Sequence, residues 1–359
     1  MIKNRAKRSI TQKEIARLLN LSTATVSLAL SNCEKVKLET RRKVKELAER
    51  LNYTPCDIAR SLVLQKTWSV GLIIPSFSIT YYNEFAEAIQ RKFKDKNYLT
   101  IILSADASEK RETISILLKR KVDGLILPRI DIDELYWLQQ GTIPCVFYEK
   151  MEGIDNIDCV YVDKFKGGYK ATEHLIKSGY KKIGFLCSTG EDRTKGYIEA
   201  LIDYGLKVNK EWIVSGFGFF EDGYRNAKEI LKVREMPEAL VCMNDISAIG
   251  AIRGFQEEGV KVPDDIAVVG FDNIKEGRYF TPSLTTVEQP VEEIADKVVE
   301  ILVDRIEGRD RETRKVVIEP GLIIRESCGC RRKEVMKGKK VRGKTPRLLG
   351  ADTPLKEGN

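Results

Sequence analysis

Thr11-Gln12-Lys13-Glu14-Ile15-Ala16-Arg17-Leu18-Leu19-Asn20-Leu21-Ser22-Thr23-Ala24-Thr25-Val26-Ser27-Leu28-Ala29-Leu30 contains two short helical periods with a break between them. Ile15, Ala16 and Leu19 make one apolar face, Val26, Ala29 and Leu30 make a second, and Asn20-Leu21-Ser22 interrupts the spacing. Asn20 tolerates the left-handed backbone that ends a helix, and the Ser22 hydroxyl can cap the next one. The spacing therefore predicts two short helices meeting at a tight turn, a helix-turn-helix. In such a unit the first residues of the second helix face base edges in the major groove, here Thr23, Ala24, Ser27 and Leu28. An ordinary helical hairpin would carry the same apolar pattern, so charge has to weigh between the two.

Residues 1–66 hold 15 Lys and Arg against 6 Asp and Glu, residues 67–330 hold 36 against 44, and residues 331–359 hold 10 against 3. A net charge of +8 thus conceals two basic ends around an acidic middle. That asymmetry is the footprint of a polyanion-binding module attached to something else. The last segment, 331–359, has several Gly and Pro and almost no apolar periodicity, and reads as a basic, disordered tail.

At 359 residues the chain should exceed one domain, and 42% hydrophobic content is ample for sizeable cores. No run approaches the length of a membrane span, and Met1-Ile2-Lys3-Asn4-Arg5-Ala6-Lys7-Arg8 is basic without an apolar core. Neither a membrane partner nor a signal peptide is expected, which leaves the cytoplasm as the default compartment. The cysteines at 33, 56, 145, 159, 187 and 242 fall mostly in strand-like runs, which suits reduced thiols used as small hydrophobes rather than a disulfide framework. Cys328-Gly329-Cys330 stands apart. Two thiols flanking Gly could hold a metal or oxidise, but without a second pair or a nearby His the signal is weak, and a peculiarity of an exposed end is the favoured reading.

From Ser69 to Gln289 the period changes. Short apolar runs at 70–75, 100–103, 124–127, 144–147, 160–162, 183–186, 239–242 and 266–269 alternate with amphipathic stretches such as 83–96 and 110–120. Continuous apolar strands followed by helices imply parallel sheets covered on both faces, a doubly wound α/β body. About ten strands are too many for one open sheet, so two lobes are expected, with the break near Val162-Asp163. Ligands of such sheets bind at the carboxyl ends of strands, which here would line a cleft between the lobes. Phosphate-cradling glycine motifs, nucleophile elbows and metalloprotease helices are absent from the sequence, and the single histidine, His174, sits mid-helix in a structural setting. The expectation is a protein that is not an enzyme and carries no cofactor or metal.

This order of parts resembles the lac and galactose repressor family of bacterial transcription regulators over about residues 10–330. The resemblance is carried by Thr25-Val26-Ser27, by Leu51-Asn52-Tyr53 through Pro55 to Ile58-Ala59-Arg60-Ser61-Leu62, by Val122-Asp123-Gly124-Leu125-Ile126, by Asn244-Asp245, and by Val262-Pro263-Asp264-Asp265 through Gly270-Phe271-Asp272. It implies an all-α DNA-binding head (1–54), a hinge helix and linker (55–66), and a two-lobed body of the type I periplasmic-binding-protein fold (67–330). Lobe one would take about 67–162 plus 290–320, and lobe two about 163–289 plus 321–330.

The resemblance further implies a homodimeric, sequence-specific repressor of operator DNA, controlled by a small-molecule effector, commonly a sugar or sugar derivative. Its DNA-binding residues would be Thr11, Ser22, Thr23, Ala24, Thr25, Ser27, Leu28, Asn32, Tyr53, Ala59, Arg60 and Leu62. Leu62 is the residue that would wedge into the minor groove and bend the duplex. Effector contacts would come from Arg193, Asn244 and Asp272, which can satisfy buried hydroxyls, with Ser78, Tyr81, Tyr82, Glu149 and Phe219 around them. Leu28 departs from the family's usual guanine-reading arginine, so the head would depend less on strong base hydrogen bonds. The competing reading is a cytoplasmic sugar-binding protein or enzyme with an incidental basic end.

Overall fold

The computed structural model describes residues 10–53, 66–141, 143–188, 192–309 and 312–330. The expected hinge helix, with Ala59, Arg60 and Leu62, and the expected disordered tail lie outside the described residues. The chain divides into two compact units, Met1–Thr67 and Trp68–Asn359.

In the first unit, α1 (Gln12–Leu18), α2 (Thr23–Leu30) and α3 (Leu38–Arg50) enclose a small core of Ile15, Ala16, Val26, Ala29, Val44 and Ala48. The turn forms as its residues dictate: Asn20 takes φ 55, and the Ser22 Oγ accepts the Thr25 amide at 3.0 Å. Thr11 and Glu14 close a capping box at the start of α1, so the first helix is fixed at the end where it has the most unpaired donors.

The second unit holds two six-stranded sheets. β1 (Ser69–Ile74), β2 (Leu99–Ser104), β3 (Gly124–Leu127), β4 (Cys145–Phe147), β5 (Asp158–Val162) and β11 (Lys315–Ile318) make a parallel sheet in the order β11-β5-β4-β3-β1-β2. β6 (Ile183–Ser188), β7 (Ile213–Ser215), β8 (Ala239–Cys242), β9 (Ala267–Asp272), β10 (Thr285–Glu288) and β12 (Gly321–Ile323) make the other, in the order β12-β10-β9-β8-β6-β7. Only β12 runs antiparallel there, against β10. Short strands such as β7 and β12 escape a reading based on apolar runs, because three residues carry too little pattern.

Each sheet is covered on both sides. α4 (Thr80–Asp95) and α11 (Val291–Ile306) bury Val70, Leu72 and Ile74, while α5 (Lys110–Lys119) and α6 (Ile132–Gln139) cover Ile73 on the opposite face. In the second lobe α9 (Phe220–Ile230) and α10 (Asp245–Glu257) cover Leu240 and Val268, and α7 (Lys164–Lys177) and α8 (Asp192–Asp203) cover Val241 and Val269. This alternation is the period of two that a strand imposes on its side chains. The chain passes between lobes after Val162, after Glu288 and after Ile318.

α7 and α8 cross without room for a side chain. A Cβ on Gly168 would stand 2.1 Å from the Arg193 carbonyl oxygen, and one on Gly196 would stand 2.0 Å from that of Phe165. The two glycines let the backbones touch, and the contact at Gly168 falls on the Arg193 carbonyl in the first turn of α8.

Candidate functional site

α4 starts at Thr80, three residues before the apolar spacing implies, and so carries Tyr81 and Tyr82 in its first turn. Their rings stand edge to face, 5.2 Å apart. Tyr81 leaves the first lobe's layer and joins the second lobe's apolar core, the one that holds Leu186, Cys242 and Ile274, while Tyr82 packs against the cores of both lobes. Two aromatic side chains therefore stand where the two lobes meet.

Around this pair stand charged groups from both lobes. Glu149, just beyond β4, faces the Lys164 ammonium at the start of α7 at 3.1 Å, the Tyr82 hydroxyl at 3.5 Å and the Arg129 amide at 3.1 Å. Burial alone would raise its pKa, but Lys164 and the Arg129 amide outweigh it and hold the carboxyl at about 2. From the second lobe, the buried Arg193 guanidinium lies 4.3 Å over the Phe271 ring and 3.9 Å from the Asp272 carboxylate. Gln289 donates to that carboxylate at 2.6 Å. Burial pushes the Tyr81 phenol far up, and the charges of Asp272 and Glu149 push it further, so both carboxylates act on one hydroxyl.

Asp272 combines two unusual features. Its backbone sits at φ 122, a strained value for a residue with a side chain. Its neighbours hold it there: the Asn273 amide donates to Thr286 Oγ1 at 3.2 Å, the Asn273 side chain donates to Glu288 at 2.9 Å, and Arg325 donates to Asn273 Oδ1 at 2.6 Å. Its carboxyl pKa is raised by burial, against the pull of Arg193 and Gln289. Asp245, fully buried and accepting from Thr286 and the Ile274 amide, is raised by burial and then by the charge of Asp272. A cavity of about 310 Å³ opens beside Asp272 and Gln289, bordered by Glu84, Arg91 and Lys275.

Of the eight expected effector contacts, Tyr81, Tyr82, Glu149, Arg193 and Asp272 come together. Asn244 is buried as the N-cap of α10: its Oδ1 accepts the Ser247 amide at 2.9 Å and its Nδ2 donates to the Gly218 carbonyl at 2.9 Å. Half of its hydrogen-bonding capacity is thus spent on its own fold, and it positions the loop that carries Phe219. Phe219, the N-cap residue of α9, is 37% exposed. Ser78 is exposed in the loop after β1, with its amide on Ser76 Oγ at 3.0 Å. Sequence reasoning did not single out Lys164 and Gln289. Each stands next to a crossing between lobes, which is the signal that could have found them.

On the head, Thr23, Ala24, Ser27 and Leu28 are exposed along α2. Ser22 and Thr25 bond each other at 2.8 Å, and Thr11 is engaged by Glu14, so these hydroxyls first serve the caps. Asn32 is exposed at φ 59, and its carbonyl accepts from Arg41 at 3.1 Å. Tyr53 packs half-buried against the head core, a structural place beyond the contact expected of it.

The expectation for Cys328-Gly329-Cys330 needs correction. Cys328 is fully buried and forms a disulfide with Cys330, so the pair is no feature of an exposed end. The last described residues lie against α7, where His174 Nε2 is 3.1 Å from Cys330 Sγ. Among the described residues no helix is long and apolar enough to cross a membrane.

Residues 11–56 match the family described as bacterial regulatory proteins, lacI family, and residues 172–328 match the periplasmic binding protein-like domain. The HTH-type transcriptional repressor PurR of Shigella dysenteriae serotype 1 is 35% identical over 328 residues, which span 88% of this chain and 96% of that protein. The lac repressor dimer bound to operator and the anti-inducer ONPF shares the fold, with a TM-score of 0.82 at 21% identity over 89% of this chain and 99% of that one. The complex of the transcriptional regulator CelR with cellobiose gives 0.68 at 25% identity, again over 89% and 99%. Likeness running from head through body sets aside the reading in which the basic amino-terminal segment is incidental.

Proposed function

Because the chain belongs to the lacI family of bacterial regulatory proteins, we propose that it works as a homodimeric repressor whose operator affinity is set by a sugar or sugar derivative held between the two lobes. The observation that carries this reading is the meeting of Tyr81, Tyr82 and Glu149 from one lobe with Arg193 and Asp272 from the other. Carboxylates accept from ligand hydroxyls, the guanidinium donates to them, and the tyrosine rings offer apolar faces to a sugar's C–H surface. Cellobiose in the CelR structure supports the ligand class. A ligand that separates Glu149 from Lys164, or draws them closer, shifts the lobes relative to each other.

In the head, α2 would present Thr23, Ala24, Ser27 and Leu28 to the major groove, with Asn32 and Thr11 beside it and the hinge residues Ala59, Arg60 and Leu62 at the minor groove. The test is calorimetric titration of the full chain with a panel of mono- and disaccharides, paired with mobility shifts on DNA from around its own locus. A ligand that changes operator affinity by at least about fivefold supports the reading. A ligand that binds and leaves DNA affinity unchanged overturns it.

A further inference from the structure

The chain has one histidine, and its fold sets that side chain against the Cys328/Cys330 pair, across 156 residues of sequence from Cys330. The ligand-capable atoms His174 Nε2, Cys328 Sγ and Cys330 Sγ all lie within 4.8 Å of one another. The turn that joins the sulfurs is built for their position. Gly329 takes φ +71 and a Cβ there would meet the Tyr180 hydroxyl at 2.9 Å, the Gly329 amide donates to the Glu326 carbonyl at 2.9 Å, and the Tyr180 hydroxyl donates to the Cys328 carbonyl at 3.0 Å. Cys328 is buried, whereas His174 and Cys330 are half-buried, so the cluster has one closed side and one approachable side. None of the three takes part in the interlobe site or in the DNA-facing helix.

We propose that, in the dithiol state, His174, Cys328 and Cys330 form a binding site for a thiophilic d¹⁰ cation, Zn²⁺ or Cu⁺. Two thiolates and one imidazole are a borderline-soft set that hard cations such as Mg²⁺ and Ca²⁺ do not favour. Thiolates on one tetrahedral Zn²⁺ sit about 3.8 Å apart, from Zn–S bonds of about 2.3 Å. The Cα–Cα separation of 5.6 Å between Cys328 and Cys330 leaves the two side chains free to span either that distance or a disulfide. The cation and the disulfide use the same two sulfurs and exclude each other, so only the reduced chain would take up metal. A bound ion would tie the end of the described chain to α7, the helix that begins with Lys164 at the interlobe cleft.

The test uses the full chain without a polyhistidine tag, reduced with a phosphine and freed of metal, and titrated with Zn²⁺ against a chromophoric chelator. A parallel titration uses Cu⁺ with a Cu⁺-specific chelator. The expected result is one cation of at least one kind per chain, a Tm that rises with it, and at least tenfold weaker uptake in both His174→Gln and Cys330→Ser. Both substituted residues are half-buried, and circular dichroism with DNA binding checks that each variant folds. Should one variant fail to fold, the other carries the comparison. Uptake by either variant equal to that of the parent chain, or no uptake of either cation by the reduced parent, overturns the proposal. A disulfide that resists reduction in the folded chain overturns it as well.

Discussion

Glu149 and Lys164 belong to different lobes and meet at 3.1 Å. Glu149 follows β4 in the first sheet, and Lys164 opens α7, which packs on strands of the second. The pair is repeated in kind around the cleft by Lys150 with Asp192 at 3.6 Å and by Glu84 with Lys275 at 3.8 Å. The last two are more exposed and contribute less, because solvent screens them. Glu149 with Lys164 is thus the most shielded of these three pairs.

Glu149→Gln keeps the shape of the side chain and leaves the Lys164 ammonium without its counter-charge. The expected cost at pH 7 is about 1–3 kcal/mol, read as a lower Tm. The parent carboxyl is held at about 2, below its ordinary value of 4.5. Its contribution is therefore complete above pH about 4.5 and is lost as the pH falls toward 2. The Tm difference between parent and variant should shrink over that acidic range, and equal Tm values at pH 7 would refute the tie.

Asp272→Asn should abolish the response of operator affinity to ligand while the chain remains folded. Its stability should also depend less on pH. The parent carboxyl has a raised pKa in the folded state, so its ionisation opposes folding, and stability declines as pH rises from the ordinary carboxylate range through the folded value. Chemical denaturation at a series of pH values between 4 and 8 reads this directly: the variant's profile should be flatter, with Asp245 left as the remaining contributor.

Gly168→Ala places a methyl against the Arg193 carbonyl, where a Cβ would stand 2.1 Å away. Backbone cannot yield as a flexible side chain does, so α7 and α8 must separate. A loss of about 1–3 kcal/mol is expected, together with weaker ligand binding, because Arg193 moves with α8. Calorimetry on the variant distinguishes the two effects. Unchanged ligand affinity would mean that Arg193 does not contact ligand.

On the head, Ser22→Ala removes the acceptor of the Thr25 amide and should cost about 1 kcal/mol of stability. Leu28→Arg, at an exposed position of α2, should leave stability nearly unchanged and add a preference for guanine worth about 1–3 kcal/mol at one operator position. Selection of binding sites from random DNA by the parent and the variant measures the change. Identical preferred sites would show that Leu28 does not face the bases.

The elements legible in the sequence were those whose signal is local. Asn20 and Ser22 mark their turn through conformations and hydrogen bonds made within a few residues. The long apolar runs of β1, β3, β8 and β9 declare a doubly covered sheet through their own composition. Less legible were α4, where the burial of Tyr81 between lobes extends the helix beyond its apolar spacing, and Asn244, whose amide the fold claims as a cap.

From its residues alone this protein was determined to have a basic helix-turn-helix head and an α/β body of parallel sheets, since helix periods, strand runs and charge are properties of neighbours in the chain. Tertiary structure alone decided which distant groups meet: Glu149 with Lys164, Asp272 with Gln289 and Arg193, and His174 with Cys330. Those meetings depend on strand order, on three crossings between lobes and on the close contact of α7 with α8. Spacing along the chain carries no record of them, because each is set by how whole layers pack.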